Sequence, residues 1–203
     1  MNEFDWQLLS KVMWLIFIVG WGILRYRPNR RARKTKIEKT SRTLKERFSM
    51  AISFTGLGIL PGIWVIGGLF GGSLFGVFDY SANPAVIIIG AFMIMAALRL
   101  FRLTHKALGA MWSHSLDLRE GHKLVTQGIY KNVRHPMYSA FWLWALAQAF
   151  LIPNWFVGFA GLVGFGTLYF LRIGQEEAMM MEEFGDEYLH YCQRTKQIIP
   201  GIY

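Results

Sequence analysis

Three stretches without a single charged side chain, Ser49–Phe78, Tyr80–Leu98 and Pro136–Leu171, constrain this chain more than any other feature. A bilayer crossing needs about 20 mostly apolar residues, so runs of this length define a polytopic membrane protein. Composition agrees: 53% of residues are hydrophobic and only 17% charged, where a soluble domain carries about 25%. A soluble globule and a disordered chain are both excluded. Cys192 is the single cysteine, which also excludes a small secreted fold built on disulfides.

The uncharged runs divide into spans. The first span is expected around Phe4 to Leu24, with Asp5, Gln7 and Lys11 at its interfacial end. A cleavable leader fits poorly there, because the segment ahead of the apolar run is acidic and a basic run follows it. The second span lies within Met50–Phe78, where eight glycines and Pro61 predict a kinked helix packed closely on its neighbours. The third runs from Pro84 to Phe101. Pro136–Leu171 is too long for one crossing, and Pro153-Asn154 near its middle is a turn signal. It therefore reads as a hairpin of two short helices, about 25 Å each. The fold class is all-α, with about five transmembrane helices. Residues 1–103 are expected to form three spans and a basic loop at 25–47, and residues 104–203 a second region containing the hairpin at 136–171 and an amphipathic tail.

Charge orients these spans. Arg25–Arg47 holds eleven Lys/Arg and two acids, Glu38 and Glu46, and seven more basic residues lie between Arg99 and Arg134. The turns at 79–84 and 153–154 hold none. The positive-inside rule places both basic loops and the C-terminal tail in the cytoplasm, with the N-terminus outside. A bacterial inner membrane is the expected location. The basic loop reads as a topology signal attracted to membrane lipids, about 1 kcal/mol per basic residue, and nucleic acid is not an expected partner.

Side chains able to do chemistry gather after Leu103. One cluster runs Gly121-His122-Lys123-Leu124-Val125-Thr126-Gln127-Gly128-Ile129-Tyr130 and continues as Arg134-His135-Pro136-Met137-Tyr138. Its two glycines suit a loop whose backbone approaches a ligand. Pro136 opens the fourth span, whose N-terminus favours an anion. A second cluster is Arg172, Glu176 and Glu177. On a continuing helix Arg172 and Glu176 lie one turn apart, which fits an interfacial salt bridge, although ionisable residues at such depth are also functional suspects. No histidine pair has zinc spacing, so no metal site is expected.

The ordered set His122-x-Leu-Val-Thr-x-Gly-x-Tyr130, Arg134-His135-Pro136-x-Tyr138, a helical hairpin, Arg172-x-x-x-Glu176-Glu177 and Phe184-Gly185-x-Glu187-Tyr188-x-x-Tyr191 resembles the isoprenylcysteine carboxyl methyltransferase family. Bacterial phospholipid N-methyltransferase-like membrane enzymes are similar. The likeness covers about the C-terminal 90 residues. It implies a five-span enzyme that uses S-adenosylmethionine at the cytoplasmic face. Carried over by position, His122, Lys123, Leu124, Val125 and Tyr130 would enclose the adenosine end. His135, Pro136, Met137 and Tyr138 would line the same pocket, Glu176 would contact the cofactor, and Arg172 would face the acceptor. The family's polar contact ahead of the first histidine falls at Ser115, with His114 and Asp117 nearby. Ala140 departs from the family's glycine and would tighten the start of the fourth span.

Methyl transfer from a sulfonium is an in-line displacement that rests mainly on alignment and exclusion of water. A carboxylate acceptor needs no base, and Arg172 could clamp it in bidentate geometry. An amine acceptor would need a base, for which Glu177 or His135 are candidates. Short final helices would leave a lateral opening for an acyl or prenyl chain. The expected activity is thus methyl transfer to a lipid-like or prenylated small acceptor, carboxylate O-methylation first and phospholipid amine N-methylation second. A membrane sterol or enone reductase using NADPH, with a similar His-Pro-x-Tyr pattern, and a non-catalytic membrane protein are the remaining readings.

Overall fold

The computed structural model describes residues 5–32, 37–40, 43–72, 74–109, 117–119 and 123–202. Among these residues, four helices are long and apolar enough to cross a membrane. The first is α1, Trp6–Ala32. The second is a continuous unit of α2 (Leu44–Phe54), a π-helical turn (Thr55–Ile59) and α3 (Leu60–Leu69). The others are α4, Pro84–Leu108, and α6, Trp155–Phe184. Between the last two lies α5, Pro136–Leu151. At 16 residues it is about 24 Å long, shorter than these four. A final helix, α7, spans Asp186–Arg194.

Two expectations change. The first helix continues through Pro28 to Ala32, so the start of the basic segment is helical. Only the first arm of the final hairpin is short: α6 has 30 residues, about 45 Å. It runs past Arg172 and Glu176 because nothing breaks it before Gly185, whose φ of +50° ends it.

Loop pairing fixes which helix ends lie together. Strand β1 (Ile37–Thr40) pairs antiparallel with β2 (Asp117–Arg119), the one ribbon among the described residues, so the two basic loops share one end of the bundle. At the other end Tyr80 donates its N–H to the Pro153 carbonyl (3.0 Å), and Asp79 Oδ1 accepts from Trp64 Nε1 (2.8 Å) and Asn154 Nδ2 (2.6 Å). Asn154 also caps α6 by accepting from the Val157 N–H at 2.8 Å.

The second span carries a π-helical turn just ahead of Pro61, and the proline accounts for it. Proline cannot donate and crowds the preceding turn, so the helix widens: the Leu60 N–H bonds to the Thr55 carbonyl. The Gly56 carbonyl thereby loses its usual donor, and its next partner along a widened turn is Pro61. Buried Gln148 on α5 fills the gap, donating to Gly56 O (3.0 Å) and Val157 O (2.8 Å). In hydrocarbon an unsatisfied carbonyl costs several kcal/mol, so one amide ties three spans together.

Glycine makes the contact between α2 and α6. A Cβ on Gly56 would sit 2.2 Å from the Ala160 carbonyl oxygen, and one on Gly164 would sit 2.8 Å from Ile52 O. Both obstacles are backbone, which cannot give way cheaply. Gly56→Ala should therefore lower thermal stability in detergent by an amount typical of overpacking, about 1–3 kcal/mol. Gly22→Ala, where nothing lies within 4 Å, should leave it unchanged or slightly raised. Equal melting temperatures for the two variants would refute this account of the α2–α6 contact.

Candidate active site

A cavity of about 580 Å³ lies between α1, α2, α5 and α6, within the range of small-molecule sites. Its apolar wall is built from Trp14, Trp21, Leu57, Trp144, Phe165 and Leu168, and its polar end from Arg134, His135, Tyr138, Arg172 and Glu176. Leu124, Val125, Tyr130, Tyr188 and Tyr191 close that end. Arg25, stacked on Trp21 at 4.8 Å, adds a cation on the α1 side.

Helix geometry brings the polar groups together. Arg172 and Glu176 sit one turn apart on α6, with Arg172 Nε 3.5 Å from Glu176 Oε2, the pairing their spacing predicts. Arg172 Nη1 reaches Glu46 Oε1 on α2 at 3.5 Å. Tyr138, one turn into α5, donates its hydroxyl to Glu176 Oε2. His135 lies between two acids, with Nδ1 3.6 Å from Glu176 Oε1 and Nε2 3.2 Å from Glu177 Oε1. Glu177 in turn accepts from Arg134 Nε (3.0 Å) and Nη2 (2.8 Å).

The C-terminal tail holds this end in place. Arg134 N–H donates to Lys196 O (2.8 Å) and His135 N–H to Gln197 O (2.9 Å). Ser139 Oγ donates to Ile198 O at 2.6 Å, and the Arg134 guanidinium donates to the Thr195 carbonyl. From α7, the Tyr191 hydroxyl donates to Tyr130 O at 2.6 Å. The tail thus supports the site through backbone bonds.

Of the residues expected from sequence, Leu124, Val125, Tyr130, His135, Met137, Tyr138, Arg172 and Glu176 all line the cavity. Lys123 is exposed and Pro136 is buried at the start of α5, and neither is among the lining residues. Glu177 touches the site through His135 and Arg134. His122 and Ser115 lie outside the described residues. Sequence reasoning missed Glu46, Arg25, Trp14 and Trp21, all from the first half of the chain. For Glu46 a faint signal existed, an acid inside a run of eleven cations.

The residues present suit S-adenosylmethionine. Leu124, Val125 and Tyr130 offer an apolar and aromatic wall to a purine. The Glu176 carboxylate, 27% exposed although set deep in the protein, opens on the cavity, where it can meet hydroxyl or ammonium donors and complement a cation.

The chain is a polytopic helical membrane protein whose charged site closes one end of an apolar cavity. Residues 86–182, just under half of the chain, match the model of the isoprenylcysteine carboxyl methyltransferase family. Similar proteins include protein-S-isoprenylcysteine O-methyltransferase B of Arabidopsis thaliana, 33% identical over 96 residues (46% of this chain, 49% of the relative). The protein-S-isoprenylcysteine O-methyltransferase of Schizosaccharomyces pombe is 35% identical over 96 residues (46% and 41%), and that of Homo sapiens 26% over 117 (57% and 41%). The matched part spans less than half the length of each of these three relatives. Residues 86–182 are thus similar to the isoprenylcysteine carboxyl methyltransferase family. Arg134, His135, Tyr138, Arg172, Glu176 and Glu177 fall inside this segment, and Glu46, Arg25 and the α1 tryptophans fall outside it.

The two carboxylates on His135 have a titration consequence. Burial by itself disfavours the charged ring, but hydrogen bonds to Glu176 and Glu177 outweigh it and raise the pKa above the ordinary 6.5. A neutral ring has one N–H and can serve one acid, whereas the imidazolium serves both. This contribution to stability is complete below about pH 6.5 and fades as pH rises through the raised value. Thermal unfolding in detergent should show that alkaline loss in the wild type, and His135→Gln should flatten it. A slope unchanged in the variant would assign the titration elsewhere.

Proposed function

We propose that this protein is an S-adenosylmethionine-dependent methyltransferase that methylates the carboxylate of a lipid-like acceptor, such as a prenylated cysteine. One observation carries the reading: Arg172 and Glu176 stand together where an apolar cavity meets the family's polar motif. When bound, the donor supplies a sulfonium methyl that a carboxylate oxygen can take directly, the C–S electron pair staying on sulfur. The chain's own task is then to align and to exclude water. Trp14, Leu57, Trp144 and Phe165 would house the acceptor's chain, Arg172 would orient its carboxylate, and Glu176 with Tyr130 and Leu124 would hold the donor.

Charge balance favours an anionic acceptor. Glu46, Glu176 and Glu177 offset Arg134, Arg172 and protonated His135, so the core of the site is neutral. A sulfonium donor and a carboxylate acceptor add opposite charges and keep it so. A sulfonium donor with an ammonium acceptor would add two positive charges to a site that Arg25 already biases that way, and uncompensated charge in an apolar site is costly. It would also need a base, while both acids around His135 are already bonded and Glu177 is held by Arg134. Phospholipid amine methylation therefore ranks second, and the family match favours methyl transfer over reduction with NADPH or a non-catalytic role. The basic loops support a site at the cytoplasmic face, with the N-terminus outside.

The test uses purified protein in detergent, labelled donor, a farnesyl-cysteine analogue and lipid extracts. Donor or its demethylated product should raise the melting temperature, and NADPH should not. Arg172→Ala should lose methyl transfer while keeping donor stabilisation, and Glu176→Gln should weaken donor binding. Each loss should be tenfold to over a hundredfold, the worth of a charge-assisted contact of about 1.5–3 kcal/mol. Stabilisation by NADPH alone, or both variants retaining activity, would sink the proposal.

Orientation is tested by single cysteines in a Cys192→Ser background. Replacements at Lys131 and Glu183 should label from the cytoplasmic side and one at Ser81 from the outside. The reverse pattern would place the site away from a cytoplasmic donor.

A further inference from the structure

We propose that Glu46, on the first turn of α2, is a positioning residue for Arg172 and thereby sets acceptor affinity. The inference rests on the methyltransferase reading above. Glu46 is 4% exposed and lies outside the segment matched to the family. A carboxylate in a helix's first turn is favoured by the helix dipole whether or not it is buried, and Thr43 already caps this end by accepting from the Glu46 N–H at 3.1 Å. Capping therefore does not require the Glu46 side chain to be buried. Burying a carboxylate is costly unless a cation compensates it, and Arg172 Nη1 lies 3.5 Å from Glu46 Oε1.

The two acids grip the guanidinium from different sides. Glu176, on Arg172's own helix, meets Nε, and Glu46, from the neighbouring helix, meets Nη1. A planar fork held at Nε alone can still swing about its long stem. A second contact from another helix fixes its plane, which is what bidentate capture of a carboxylate needs.

The position of Glu46 along α2 adds a second reason. Glu46, Met50, Ser53 and Leu57 follow one another at spacings of four, three and four, one face of a helix, and the last three line the cavity. The face that would run along the acceptor's chain thus also carries the acid that orients the arginine for its head group. The first half of the chain would thereby take part in acceptor recognition.

Full-length protein in detergent carries the test, with Glu46→Gln and Glu46→Asp. Glu46→Gln should raise the acceptor KM at least tenfold and leave donor stabilisation at its wild-type value. Glu46→Asp, which keeps the charge, should recover part of the loss. The Arg172 Nε–H NMR resonance, assigned by its disappearance in Arg172→Lys, should be ordered in wild type and averaged in Glu46→Gln. That resonance reports on positioning even where no tested acceptor is methylated, so failure of the activity and failure of this inference stay separable. A folded Glu46→Gln protein with wild-type KM and an unmoved Arg172 resonance overturns it. So does a parallel loss of donor and acceptor binding with no recovery in Glu46→Asp.

Discussion

Charges brought inside an apolar bundle must be paired, and here that pairing forms one continuous chain. It runs from Glu46 to Arg172, through Glu176 and His135 to Glu177, and ends on Arg134 and the Thr195 carbonyl. Removing one member would strand a partner in low dielectric, where an unpaired charge is costly. The network thus ties α2, α6, the start of α5 and the C-terminal tail into one arrangement. The groups suited to hold a donor and an acceptor are the same groups that hold these elements together.

The apolar half of the bundle makes room for that arrangement. Glycines let α2 and α6 approach at backbone distance, and Gln148 satisfies the carbonyl left over by the π turn. On the other side α1 packs on α4 and faces the cavity with large aromatics, Trp14 and Trp21. Close packing on one flank and bulky side chains across from it leave a space lined by apolar groups and closed by charges at one end.

The tail shows how a site can depend on residues that never touch a ligand. The Thr195 to Ile198 carbonyls accept from the guanidinium and N–H of Arg134, the N–H of His135 and the hydroxyl of Ser139. These bonds satisfy groups ahead of and within the first turn of α5, and so fix the direction in which His135 and Tyr138 enter the cavity. Their partners are more than fifty residues apart in sequence, so no local pattern announces them.

Much of this was legible in the sequence, because hydrophobicity and charge act locally. Uncharged runs mark the spans, Pro153-Asn154 marks the hairpin, and helix spacing pairs Arg172 with Glu176. The ordered motif from Leu124 to Glu176 picks out most of the residues that line the cavity's polar end. Other features were decided only by tertiary structure. The end of α6 depended on where a positive-φ glycine stops a helix that polar residues do not. Gln148 lies within an uncharged run, and its role appears only where the π turn on another helix leaves a carbonyl for it. Glu46 read as a stray acid in a basic run, since nothing within a few residues of it requires a partner. Its role rests on the glycine-mediated approach of α2 to α6, and a contact across 126 residues of chain has no signature in the spacing of either end.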